Sequence, residues 1–332
     1  MKKNIVILGG GISGLVLAIA LHNSNSQVIV VEKFNYGHMV SGEHVPAKIT
    51  DIFEALSIPK YLITDNAIRC NGIGGYWGEK ELFNSGMFKA EGYDFILNRP
   101  SFERALYNYA ISLGVEIFLN IRKISYSENE IQFNGSNIHY DQIFDCTGRL
   151  SRLNESSRLI FDDLVGYSYR APIITKQEGS VIIESSQNGW WYAVNNSHES
   201  IITFFTDRDL YHAIDISNEI KLTNIIKDQF NQLGSVSFHA MPCYTSILKE
   251  NPNNIIQVGD SFSSYDPLSS QGVLKALSNA LSITQNLDQP LTNIFNSQRD
   301  DFVNYMNIKE SFYKECFNTY GSEFYRRRFI AA

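Results

Sequence analysis

Apolar residues recur along this chain in three rhythms, and each rhythm predicts a different kind of element. Asn4-Ile5-Val6-Ile7-Leu8 is a short continuous apolar run that ends in Gly9-Gly10-Gly11-Ile12-Ser13-Gly14, and residues 15–21 follow as an apolar helix. A continuous apolar run closed by glycine suits a strand buried on both faces of a parallel sheet. Gln27-Val28-Ile29-Val30-Val31-Glu32, Gln142-Ile143-Phe144-Asp145 and Ile255-Ile256-Gln257-Val258 repeat that signature. Helical spacing marks residues 47–56 and 100–113; in the second, Phe102, Leu106, Tyr109, Ala110 and Leu113 share one face. A strand is expected at 115–119, then a hairpin of 124–126 and 130–133 turned at Glu128-Asn129. Segment 35–46 predicts a loop rich in glycine and histidine, and the glycine-rich segment 68–80, with Trp77, predicts strand and loop. From 164 to 242 the pattern changes to short alternating strands, such as 180–184, 190–194 and 201–205, as in an antiparallel sheet. A helix is expected over 270–285, and helical pattern dominates from 291 onward.

These elements make an α/β fold. A Rossmann-like nucleotide-binding domain is interrupted by an antiparallel-sheet substrate domain and followed by C-terminal helices. The expected boundaries are 1–163 for the first part of the nucleotide domain, 164–250 for the sheet domain, 251–290 for the return and 291–332 for the helices. A chain of 332 residues, 44% apolar, suits one large or two intimate domains with an ample core. The formal charge of −7 carries no basic stripe, so nucleic acid is not an expected partner. Arg326-Arg327-Arg328 reads as a short solvated cluster. No run approaches the ~18 apolar residues of a membrane span, and the opening strand leaves no room for a signal peptide. Cys70, Cys146, Cys243 and Cys316 show no metal-ligand spacing, so reduced thiols in a cytoplasmic protein are expected, and no metal. Eighteen Tyr and 21 Phe favour an aromatic-lined interior.

The first strand and its glycines have the parts of a dinucleotide site. Gly9, Gly11 and Gly14 allow a tight turn and close backbone approach, and the helix that follows turns its free N–H groups toward a pyrophosphate. Glu32 ends the second strand where an adenosine ribose needs an acceptor. Far along the chain, Asp260 follows the strand before Gly259 and is placed to accept from a ribityl hydroxyl. Pro267, Gly272 and the helix near Ser270 would set backbone N–H groups at a flavin's pyrimidine edge, where they favour negative charge. Arg99, at the head of its helix, is either a cofactor contact or a surface ion pair.

The order of Gly9-x-Gly11-x-x-Gly14, Asp145-Cys146-Thr147-Gly148-Arg149 and Gly259-Asp260 resembles the flavoprotein monooxygenases with the p-hydroxybenzoate hydroxylase fold. Gly148-x-x-Ser151-Arg152 is similar to that family's Asp-Gly segment, with Thr147-Gly148 standing in for Asp-Gly. Gly42-Glu43-His44-Val45-Pro46 resembles the Gly-Glu-x-x-Pro of the flavin-dependent halogenase branch. Asp266-Pro267-Leu268-Ser269-Ser270-Gln271-Gly272 resembles its Asp-Pro-Leu-x-Ser-x-Gly. Tyr76-Trp77-Gly78, Leu97-Asn98-Arg99-x-x-Phe102 and Gly189-Trp190-Trp191-Tyr192 are similar to the flavoproteins that mature tryptophan-derived quinone cofactors of amine and amino-acid oxidases. The resemblance covers residues 3–280. It implies non-covalent FAD held by Gly9, Gly11, Ile12, Ser13, Gly14, Glu32, Lys33, Arg99, Thr147, Gly148, Asp260, Pro267, Ser270, Gln271, Gly272 and Val273. NADH, NADPH or a separate flavin reductase would supply electrons, and molecular oxygen would be the co-substrate.

What the resemblance implies is oxygenation of an aromatic group, either of a small molecule or of a tryptophan side chain in a peptide or protein, through a flavin C4a-hydroperoxide. The protein's part is position, dryness and charge. Trp77, Trp190, Trp191 and Tyr192 are the expected substrate wall, although Trp190 and Trp191 are strand neighbours and must face opposite sides. Glu43 and His44 are expected to face that wall across the flavin, as groups for proton transfer or positioning, with a structural histidine as the other reading. Asp266 is a base if a pocket reaches it and otherwise a turn-former before Pro267. His198, His212 and His239 share no ligand spacing. Halogenation is the second reading, but Cys70 stands near where halogenases carry their lysine, leaving Lys48 and Lys80 as candidates. A reductase of prenyl double bonds would need a more apolar tunnel. A flavin-binding maturation partner without turnover is the reading from another class.

Overall fold

The computed structural model describes residues 2–329 except 37–41, 86–91, 152, 154–156, 173–178, 196–198, 214, 231–237, 251–254, 288 and 290. Five parallel strands form the nucleotide sheet, in the order Ile255–Gln257, Gln142–Asp145, Asn4–Leu8, Gln27–Val31 and Glu116–Phe118. The apolar run of the first strand is explained by its two buried faces. Ile5 and Ile7 pack with the helices Ile12–Asn23, Arg99–Leu113 and Gly272–Gln285, while Val6 and Leu8 pack beneath Ile131, Phe133 and Tyr140. Those last residues belong to, or follow, a small antiparallel sheet of Ser125–Tyr126, Glu130–Phe133 and Ser136–His139. Helix Arg99–Leu113 starts where the Asn98 side chain accepts from the Ser101 N–H and stops at left-handed Gly114.

The second layer is a seven-stranded sheet in the order Phe238–Pro242, Leu164–Pro172, Glu199–Asp207, Gly189–Asn195, Ser180–Ser186, Gly72–Trp77 and Lys80–Ser85. Its last two strands come from early in the chain, and Ser180–Ser186 pairs with Gly72–Trp77 in parallel. Gly75 permits that junction, because a Cβ there would lie 1.8 Å from the carbonyl oxygen of Ile183. The 30-residue helix Leu291–Tyr320 and the short helix Glu323–Arg326 bring Tyr313, Cys316, Phe324 and Tyr325 against Trp77 and Trp190 of this sheet. Among the described residues no helix is long and apolar enough to cross a membrane. All four cysteines are free thiols and buried.

Three sequence expectations are corrected. The segment containing Glu43 and His44 forms a strand, Gly42–Val45, paired with Phe95–Asn98, whose other edge takes Ala67–Arg69. Polar pattern concealed it, since the pairing rests on backbone bonds and a buried His44–Asp94 contact. The expected helix at 270 begins at Gly272, because Ser270 has a left-handed φ of 49° after the tight turn Pro267–Ser269. The arginine cluster is not wholly solvated: the Arg328 side chain is fully buried against Asp207.

Candidate functional site

The strand Asn4–Leu8 delivers the chain into Gly9, whose φ of 100° falls where glycine sits without strain. A Cβ on Gly9 would come within 2.4 Å of the Cys146 carbonyl oxygen, and one on Gly14 within 1.9 Å of the Gly9 carbonyl oxygen. Gly11 differs. Its φ of −72° suits any residue, and a Cβ there would meet nothing within 4 Å. The outer glycines therefore serve the fold, while the middle one borders open space. The helix Ile12–Asn23 begins at Gly11 with no side-chain cap, so its first N–H groups are left for an anion in that space.

Glu32 Oε2 accepts from the Gly10 N–H at 2.5 Å and Oε1 from the Phe34 N–H at 2.8 Å, while Lys33 is exposed above the Phe34 ring. Beside them the Tyr36 ring packs on Tyr107, with centroids 4.5 Å apart. The Tyr36 hydroxyl is buried with no hydrogen-bond partner among the described residues. Burial and the nearby Glu32 push its pKa up. A buried phenol lacking a partner implies a ligand atom or water there. Sequence reasoning missed Tyr36 and Tyr107, whose only signal was an aromatic residue shortly after Glu32.

The second half of the site meets the first at Gly259, where a Cβ would come within 2.4 Å of Ser13 Oγ. Asp260 accepts from Lys275 Nζ at 2.9 Å and lies 3.4 Å from Arg149 Nη2. Burial works to raise its pKa, but Lys275 and Arg149 overcome it and leave the carboxyl below its ordinary range. Arg99 joins this charged group, bonding Glu103 at 2.9 Å and Glu43 at 3.3 Å. The Thr147 N–H and Oγ1 both donate to Asp145 Oδ1, at 2.9 and 2.6 Å, which fixes the turn into Gly148. Arg152 lies outside the described residues. Lys275 was not singled out from sequence, since it stands in no glycine motif, and Arg149 was quoted only as the end of the segment Asp145–Arg149, with no role given to it. The turn Pro267–Ser269 leads through Ser270 and exposed Gln271 to the helix Gly272–Gln285, which has no side-chain cap; Val273 is buried on its first turn.

Beyond that turn lies a cavity of about 210 Å³, lined by Trp77, Leu82 and Ile183 of the large sheet, Asp266, Leu268, Ser269 and Gln271 of the turn, and Tyr305, Ile308, Lys309 and Phe312 of the long helix. Asp266 is 1% exposed, and it also caps the turn by accepting from the Leu268 N–H at 2.9 Å. Its Oδ2 accepts from the Tyr313 hydroxyl, which in turn accepts from Trp190 Nε1 at 3.0 Å. Burial pushes the Asp266 pKa up.

Other expected site residues are brought together only in part: Tyr192 meets the strand of Glu43 and His44, and the rest diverge. Glu43 and His44 point to opposite sides of their strand. Glu43 goes to Arg99, while His44 Nε2 lies 3.1 Å from buried Asp94 Oδ2, and neither lines the cavity. Trp191 packs on Phe204 and Ile226, on the sheet face away from Trp77. Trp190 is fully buried behind the cavity wall, and Tyr192 reaches instead toward Glu43 and the His44 backbone. The expectation that His44 and Trp191 form two walls of one pocket is therefore corrected, because strand alternation turns each away. His198 lies outside the described residues.

No family model matches the chain. It is 25% identical over 313 residues to a protein named as an FAD-dependent oxidoreductase, LodB of Marinomonas mediterranea, covering 85% of this chain and 84% of that one. It is 33% identical over 170 residues to the FAD-dependent monooxygenase okaB of Penicillium ochrochloron, covering 47% of this chain and 36% of okaB. Among solved structures, the peptidyl tryptophan dihydroxylase QhpG, essential for tryptophylquinone cofactor biogenesis, gives a TM-score of 0.81 at 20% identity over 99% of this chain and 79% of QhpG. The flavin-dependent halogenase CmlS gives 0.85 at 18% identity over 99% of this chain and 68% of CmlS. The fold is therefore the one these flavin-dependent enzymes share, and the resemblance read from the motifs stands.

Proposed function

We propose that this chain, an FAD-dependent oxidoreductase by its relatives and its fold, is a monooxygenase that oxygenates an aromatic ring, with a tryptophan side chain of a peptide or protein as the substrate we favour. The observation that carries this reading is the cavity where the Asp266 turn, which continues into the candidate flavin-edge helix Gly272–Gln285, meets the Trp77 wall. The glycine turn, Glu32, Asp260 and the uncapped helix starts fit a dinucleotide, and an orphaned Tyr36 hydroxyl in the adenosine half supports the same assignment. FAD, once bound and reduced, would supply the chemistry of oxygen activation. Gly11, Ile12 and Ser13 would hold its pyrophosphate in a turn that Gly9 and Gly14 shape, with Glu32 at its ribose and Asp260 at its ribityl chain. Thr147, Gly148, Pro267, Ser270, Gln271, Gly272 and Val273 would border its ring.

In this reading Trp77, Leu82 and Ile183 exclude water and stack the substrate ring, and Asp266 takes its N–H proton or holds it in place. Tyr313 and the Leu268 N–H keep that carboxylate aimed. Asp266→Asn retains the cap acceptor, so flavin content should be unchanged while kcat falls by about 10²-fold or more. Steady-state oxygen consumption with substrate checks this, and an unaffected rate would remove Asp266 from the chemistry.

Halogenation finds less support, because Lys48 and Lys80 are both exposed and Cys70 is buried. Incubation with reduced flavin, oxygen, bromide and substrate should give a product heavier by oxygen alone. A brominated product in the mass spectrum would overturn the monooxygenase reading. Electrons come from NADH, NADPH or a separate reductase, and bleaching of the bound flavin by each identifies the donor. No bleaching by any of them would favour a maturation partner without turnover.

A further inference from the structure

We infer that Lys309 determines specificity in the cavity by binding a carbonyl or carboxylate oxygen carried beside the aromatic ring. The ligand is then an aromatic amide or acid, as in an aromatic residue within a polypeptide, and not a bare ring. This rests on the reading of the cavity as the substrate pocket.

Tyr305, Ile308, Lys309 and Phe312 stand at i, i+3, i+4 and i+7 of the helix Leu291–Tyr320, so one helical face forms a wall of the cavity. Ile308 and Phe312 are 54% and 44% exposed, which makes an apolar rim, whereas Lys309 is 6% exposed and lies deeper. Its ammonium is held by Asp162, itself buried, and by Thr245 Oγ1 at 2.6 Å. Asp162 is fixed in turn by the Thr245 N–H at 3.0 Å and the Leu164 N–H at 3.3 Å. A lysine has three donors, and the hydrogen bonds among the described residues use two of Lys309's. The side chain is thus immobilised before a ligand arrives, which removes most of the ordering cost of a third bond. Asp266, in the same lining, offers an acceptor to a ring N–H. A ligand complementary to both carries a donor on its ring and an acceptor a short distance away. An indole attached to an amide has that pattern, and a plain indole has only half of it.

Calorimetric titration of the flavin-loaded protein with indole and with N-acetyl-tryptophanamide tests the inference. The amide should bind about 10- to 100-fold more tightly, the range of one hydrogen bond to a charged group. In the charge-neutral pair Asp162→Asn/Lys309→Met that advantage should vanish while indole affinity stays unchanged. If that variant lacks a cooperative melt, Lys309→Gln, which keeps an uncharged donor, should show a reduced advantage. An advantage undiminished in a folded variant overturns the assignment of Lys309. Leu268→Trp, which fills the cavity, separates the two readings. If it abolishes indole binding while the parent protein binds both ligands equally, Lys309 fails and the pocket stands. If it leaves indole binding intact, both fail.

Discussion

Gly11→Ala should lose its flavin and melt where the parent apoprotein melts. The backbone at Gly11 is already in a conformation open to alanine, and a Cβ there meets no protein atom within 4 Å. The methyl group would occupy only the space into which a pyrophosphate must come, against the free N–H groups of the first helix. Gly9 and Gly14 are controls of the opposite kind. Alanine at either drives a Cβ into backbone, at 2.4 and 1.9 Å, so both variants should lose stability with or without cofactor. Flavin absorbance per mole of protein and a thermal melt of the stripped protein distinguish the cases. Full occupancy in Gly11→Ala would show that the pyrophosphate lies elsewhere.

Asp207→Ala should destabilise the protein by about 3–5 kcal/mol, the usual result of stripping one partner from a buried ion pair. Arg328 is fully buried, lies 2.5 Å from Asp207 Oδ1 and stacks 3.7 Å above the Phe324 ring. Removing the carboxylate strands that guanidinium beside the aromatic cluster of Tyr313 and Phe324. Arg327, half-exposed and also bonded to Asp209, has other partners and should contribute little. The double variant Asp207→Ala/Arg328→Met should recover much of the loss, because the buried charge goes with its partner. Urea unfolding of the parent, the single variants Asp207→Ala and Arg328→Met, and the double variant gives the coupling directly. Additive losses would mean that the pair contributes nothing as a pair.

The nucleotide half was legible because its function is written in backbone. A strand buried on both faces, glycines forced by close contacts and a carboxylate at a strand end all leave residue-type signatures, as Gly9, Gly14 and Glu32 do. The substrate half is written in side-chain direction, which sequence carries only through strand parity. Parity correctly separates Trp190 from Trp191, yet it could not say which faces the long helix; Trp190 does, bonding Tyr313. Glu43 and His44 were expected on one wall because their segment read as a loop, where alternation imposes nothing. Once that segment is a strand they diverge. Lys309 and Tyr305 were invisible for another reason. Their helix reads as ordinary amphipathic pattern, and only its docking on the sheet gives that face a cavity to line.

The contact of Gly259 with Ser13 has a consequence for biosynthesis. The turn that follows the first strand can form early, but its partner emerges from the ribosome only after the whole second sheet has done so. Strand Ile255–Gln257 must then slot beside Gln142–Asp145, in a parallel pairing that closes a very long loop. Until it does, a nascent chain has only half of the proposed cofactor site and lacks the stability that binding to the complete site would add. On the proposed site, cofactor uptake would be a late event, and the large sheet would fold without its help.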